Sequence, residues 1–137
     1  MKKLVELMPG IIWKKNKNEN NIIQLSISSI SIQSKIKLNI TAIFSMKQVK
    51  TVLKSLNKDV PSIISVFAGR IADTGIDPIN IMKDAVKLSK IKPKTNILWA
   101  STREVLNIFQ AEKAGCQIIT VPNDILKKFN SIGEDLK

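Results

Sequence analysis

The stretch ILWASTREVLNIFQAEKAGCQIITV, residues 97–121, decides how this chain folds. It opens on a short apolar run at 97–100, which reads as a strand buried on both faces. STRE at 101–104 has the Ser-x-x-Glu spacing of a capping box, where a hydroxyl and a carboxylate satisfy free N–H groups at a helix start. Val105, Leu106, Ile108 and Phe109 give that helix its apolar positions through Ala114. Gly115 is the expected stop, because helices commonly end on a left-handed residue. CQIITV at 116–121 reads as a second buried strand.

The same alternation extends outward. Toward the N-terminus, IKLNITAIF at 36–44 reads as a strand, with Ser45 as N-cap of a helix over 46–56. SIISVF at 62–67 is the next strand, ended by Ala68 and Gly69. A polar loop at 73–78 precedes a helix at 79–88, with Asp77 as N-cap and Pro78 in its first turn. Toward the C-terminus a short helix at 123–129 and a polar tail complete the chain. Before residue 36 the pattern is less regular. Residues 2–8 suit a helix and Ile11 to Trp13 a short strand, while SISSISIQ at 26–33 favours a strand where the alternation calls for a helix. Doubly buried strands alternating with helices predict an α/β fold of parallel βα units, in a barrel or an open doubly wound sheet.

At 137 residues, 44% of them hydrophobic, the chain fits a single domain spanning 1–137. No apolar run approaches a membrane span, and residues 1–10 lack a signal-peptide pattern. A lone cysteine, Cys116, cannot form an internal disulfide and reads as a core thiol, so a cytoplasmic setting is expected. The net charge of +11 raises the question of nucleic acid. Against it, the lysines are spread along the chain and stacking aromatics are scarce. Among 22 basic residues only Arg70 and Arg103 are arginine, the side chain whose planar fork can hold a phosphate through two parallel hydrogen bonds.

Parallel βα folds bind ligands at the C-terminal ends of their strands. Ser101 and Arg103 stand where a strand becomes a helix, a place suited to an anion; the competing reading is a plain N-cap beside a solvated arginine. Arg70 follows a strand closely and could share that anion, or pair with Asp73. Asn39 and Thr41 have the same parity and point to one face, either toward a substrate or into a local hydrogen bond. Lys14 ends a short apolar stretch, where a lysine can lose its proton and attack a carbonyl; by composition a surface lysine is the commoner case. The chain has no histidine and no nucleotide-binding glycine motif, so neither metal nor nicotinamide chemistry has sequence support.

Three segments in order resemble the transaldolase family: LNITAIFS at 38–45, ISVFAGRIADTG at 64–75, and residues 97–126. They carry that family's Asn-x-Thr, Ser-x-Phe-x-Gly-Arg, Ala-Ser-x-Arg and Ala-Gly-Cys-x-Ile-x-Thr patterns, and the likeness covers about residues 36–129. The resemblance implies a partial TIM (β/α)8 barrel of about five parallel βα units, strands 4–8. It implies transfer of a dihydroxyacetone unit between sugar phosphates of the fructose 6-phosphate and sedoheptulose 7-phosphate class, in the pentose phosphate pathway, through a lysine Schiff base and without cofactor or metal. Ser65, Arg70, Ser101 and Arg103 match positions around the sugar phosphate. Asn39 and Thr41 match the interior pair beside the Schiff base, with Thr41 positioning a water. Lys14 aligns with the Schiff-base lysine, although the Ile-Pro that usually follows it is Lys15-Asn16 here. The family's first three βα units, with an aspartate on the first strand and a glutamate on the third, have no counterpart. The expectation is therefore a chain weakly active or inactive alone, which joins a separate N-terminal half or forms a homo-oligomer. The alternative is a non-catalytic sugar-phosphate-binding or barrel-completing fragment.

Overall fold

The computed structural model describes residues 37–135. Four strands alternate with helices: β1 (Leu38–Ile43), α1 (Met46–Ser55), β2 (Ser62–Val66), α2 (Ala68–Ala72), α3 (Ile79–Ser89), β3 (Thr95–Trp99), α4 (Leu106–Ala114), β4 (Ile118–Ile119) and α5 (Asn123–Lys127), then a 3-10 turn at Lys128–Ser131. All strand pairs are parallel, and the strands lie in sequence order, β1-β2-β3-β4. The fifth strand expected at Ile11 to Trp13 lies outside the described residues. Among those residues no helix is long and apolar enough to cross a membrane.

One core forms on one side of the sheet. Ile40, Ile43, Ile64, Val66, Ile97 and Trp99 meet Val49, Leu53, Ile71, Met82, Ala85, Ala111 and Ala114 from helices α1 to α4. The alternate strand positions, Asn39, Thr41, Ile63, Ser65, Asn96 and Leu98, face the other way. A doubly wound sheet reverses its strand order and covers both faces with helices. Sequential order with helices on one face is how a barrel wall is built.

Helix α1 starts as its sequence predicts. Ser45 Oγ accepts from Gln48 N at 3.3 Å, and Gln48 Oε1 accepts from Ser45 N at 3.1 Å and Phe44 N at 2.8 Å. Ser45→Ala should destabilise the fold by about 1 kcal/mol in a urea melt, because it frees helix-start donors.

Strand β1 carries a bulge. Ile40 pairs with Ile64 and Ile43 with Val66, so Thr41 and Ala42 together oppose Ser65. Ala42 takes a left-handed φ of 61°. The extra residue makes the buried positions of β1, Ile40 and Ile43, three apart instead of two. Asn39 and Thr41 both precede the left-handed residue, so their shared face survives.

One sequence expectation is corrected and one gap is filled. The strand expected at 116–121 is only Ile118–Ile119. Gln117 accounts for its late start: its side-chain Oε1 accepts from Ile97 N at 2.8 Å, where a longer ladder would place a backbone carbonyl. The segment between the strand at 62–67 and the loop at 73–78, which the sequence left unassigned, is helical. Residues 68–72 form α2, too short to show a helical period in sequence.

Candidate functional site

Arg70, Ser101 and Arg103 follow the C-terminal ends of β2 and β3, while Asn39 and Thr41 lie within β1 and Ser65 within β2. The contact that organises them is between backbones. Gly69, in the first turn of α2, lies against the loop after β3, and its N–H donates to Ala100 O at 3.3 Å. A Cβ on Gly69 would stand 1.6 Å from Ser101 O and 3.1 Å from Arg103 Cγ. The segment bearing Arg70 therefore touches the segment bearing Ser101 and Arg103.

Ser101 is not the helix cap that the STRE spacing suggests. Its φ is 65°, and α4 begins only at Leu106. The capping is done from inside the helix by buried Asn107, whose Oδ1 accepts from Arg103 N at 2.8 Å and Glu104 N at 3.3 Å. Those two amides are thus unavailable to a ligand. Among the described residues no group accepts from the Ser101 or Thr102 amide. Thr102 is buried, and its Oγ1 donates to Thr120 O at 2.7 Å, which ties the loop to the end of β4. A serine held left-handed beside unclaimed amides stores backbone strain of the kind that clusters at binding sites.

The arginines rest on different supports. Arg103 Nη2 donates to Asp73 Oδ2 at 2.7 Å, with both side chains about half exposed at 49% and 51%. Arg70 Cζ lies 5.4 Å from the centroid of the Phe67 ring, which in turn packs edge-on against Phe44 at 5.5 Å. The alternative in which Arg70 pairs with Asp73 is therefore corrected: the carboxylate is taken by the other arginine, and Arg70 leans one turn back along its own helix. Both guanidinium groups are exposed, with the Asp73 carboxylate on Arg103 and Glu104 next to it in the chain.

Deeper between the strands, Ser65 Oγ donates to Asn39 Oδ1 at 2.7 Å. Ser65 is buried with its hydroxyl committed to Asn39. The Asn39 amide N–H groups have no acceptor among the described residues. Thr41 shares that face. Lys14 lies outside the described residues.

Cys116 is half-buried just before β4 and packs against the core. Burial pushes its thiol pKa up from 9.0 to about 11. The group thus favours the folded state fully below pH 9 and loses that contribution as pH rises toward 11. Because the thiolate is the nucleophile, iodoacetamide should label Cys116 at a rate climbing about tenfold per pH unit from about pH 7 to 10. A plateau near pH 9 would contradict the burial effect.

Four residues here are given no such role by the sequence alone. Gly69, Phe67, Asp73 and Asn107 each act on a partner in another segment or on another turn. Only the Gly-Arg pair at 69–70 hints at a close backbone approach.

Comparison with known proteins matches most of the chain to one family. The family model for transaldolase/fructose-6-phosphate aldolase matches residues 25–136. The match includes Asn39, Thr41, Ser65, Arg70, Ser101 and Arg103, and begins beyond Lys14. A probable transaldolase from Caldicellulosiruptor saccharolyticus is 35% identical over 106 residues, 74% of this chain and 47% of that protein. One from Nitrosopumilus maritimus is 37% identical over 95 residues, covering 68% and 41%. One from Methanococcus maripaludis is 30% identical over 118 residues, covering 80% and 53%. The chain spans about half the length of the curated relatives it matches. By sequence match over most of its length, the chain belongs to the transaldolase/fructose-6-phosphate aldolase family.

Proposed function

We propose that this chain provides the phosphate-binding side of a sugar-phosphate aldol site. Its reaction is transaldolase-type transfer of a dihydroxyacetone unit between sugar phosphates of the pentose phosphate pathway, in the cytoplasm. The observation that carries this reading is the contact of Gly69 with Ser101, which sets the Arg70 and Arg103 segments side by side at the strand tips. A phosphate dianion suits the two guanidinium forks, the Ser101 hydroxyl and the neighbouring unclaimed amides. Asn39 and Ser65 form the polar floor toward the interior. Thr41 orients a water over it, and Lys14 contributes the amine that attacks the sugar carbonyl. Anchoring the remote phosphate holds that carbonyl in place, so binding energy is used where covalent chemistry occurs.

In this reading the four described strands form part of the wall of a (β/α)8 barrel. The 137 residues alone are weakly active or inactive, since the proton-transferring carboxylates lie on the barrel's first and third strands and such groups give about 10² to 10⁴ in rate. A fragment that binds sugar phosphate or completes a barrel without catalysis is the second reading. It is favoured by the chain covering about half of its relatives' length.

Two measurements test the proposal. Inorganic phosphate should bind the full chain, and Arg103→Ala should weaken it about ten- to a hundredfold, the worth of a charge-assisted hydrogen bond. Borohydride reduction in the presence of fructose 6-phosphate should leave an adduct on Lys14 detectable by peptide mass spectrometry. Phosphate binding without any adduct would select the non-catalytic reading. Absence of both would remove the sugar-phosphate assignment.

A further inference from the structure

We infer that Asp73 is a positioning residue, which holds Arg103 aligned for an anion before the anion arrives. The inference rests on the phosphate reading above and deepens it. Arg70 and Asp73 stand three apart at the end of α2, so they are neighbours on one helical face. The local partner for the Asp73 carboxylate would be Arg70. It instead holds Arg103, 30 residues away, at 2.7 Å. Arg70 is drawn to Phe67 on the preceding turn. The carboxylate thus fixes one guanidinium on the helical face that carries the other.

The support is fixed at both ends. Asp73 N–H donates to Gly69 O at 2.9 Å, which closes the α2 turn beneath it. The Arg103 backbone is anchored by Asn107 at 2.8 Å. One hydrogen bond through Nη2 occupies one of five guanidinium donors, which leaves others for phosphate. The carboxylate also offsets the Arg103 charge while no anion is bound. The ion pair is half exposed, so it adds little to folding. Its effect is expected on anion affinity.

The test uses inorganic phosphate and the full chain. Removing a negative charge should by itself tighten phosphate binding, so positioning and simple charge predict opposite signs. Asp73→Ala is expected to weaken phosphate binding roughly three- to tenfold, with an unchanged thermal midpoint. Asp73→Glu, which keeps the carboxylate, should recover most of that loss, and Asp73→Asn should fall between. Asp73→Ala combined with Arg103→Ala should bind no more weakly than Arg103→Ala alone, because the aspartate acts only through that arginine. Tighter binding by Asp73→Ala, or additive losses in the double variant, would overturn the inference and leave the phosphate reading intact. Failure of the unsubstituted chain to bind phosphate would overturn both.

Discussion

Gly69→Ala is expected to destabilise the fold by about 3 kcal/mol and to abolish phosphate binding, the overpacking penalty falling at the upper end of its usual range. The added methyl would stand 1.6 Å from Ser101 O and 2.7 Å from Ser101 C. Both are backbone atoms, so no side-chain rotation relieves the clash. Either α2 lifts from the loop after β3 or that loop moves outward. Each movement breaks the Gly69 N–H bond to Ala100 O and separates the Arg70 segment from Ser101 and Arg103. Gly75 is the matched control. It has a φ of 81° and nothing within 4 Å of an added Cβ. Gly75→Ala should therefore cost only the left-handed strain of a non-glycine residue, about 1 kcal/mol, and leave phosphate affinity alone. Urea denaturation of the two variants, followed by circular dichroism, separates the effects. Equal losses at the two positions would mean that the α2 contact with Ser101 is not a fixed part of the fold.

The same contact accounts for what the sequence made legible and what it did not. Strands β1 to β3 announce themselves as short runs rich in β-branched and apolar residues, even though their alternate positions include Asn39, Thr41, Ser65 and Asn96. The Ser45 cap is equally plain, since the partners that satisfy it lie three residues away. The STRE tetrapeptide carries the same local signal and is overruled. Contact with Gly69 and the tie from Thr102 to Thr120 go with a left-handed Ser101, and Asn107 then claims the amides that a capping serine would have satisfied. Local spacing predicts a cap correctly only where no distant segment competes for the same backbone. Arg70, Ser101 and Arg103 could be picked out by residue type and by their place after strands. Asp73 could not, because its partner is 30 residues distant and a nearer arginine was available. Strand β4 was overestimated for a related reason: the Gln117 side chain replaces a rung of the ladder, a choice invisible in an apolar run.

Trp99→Ala should be about as damaging to stability as Gly69→Ala, at about 4 kcal/mol, the usual cost of emptying a fully buried aromatic site. Trp99 is completely buried at the end of β3, paired with Val66 on one side and Ile119 on the other, two residues before Ser101. Its indole Nε1 is buried without a hydrogen-bond partner among the described residues. An unmade bond of this kind costs about 1 to 3 kcal/mol, so the native side chain carries a penalty along with its packing. Trp99→Phe deletes the unpaired donor together with part of the ring. The lost packing and the relieved penalty are similar in size, and the net change should stay below about 1.5 kcal/mol. Phosphate affinity should follow the same order, nearly unchanged in the phenylalanine variant and weakened in the alanine variant, where the cavity lies directly behind the anion loop. If phenylalanine costs as much as alanine, the indole nitrogen is bonded in solution, and the end of β3 is held by a group beyond the strands and helices described here.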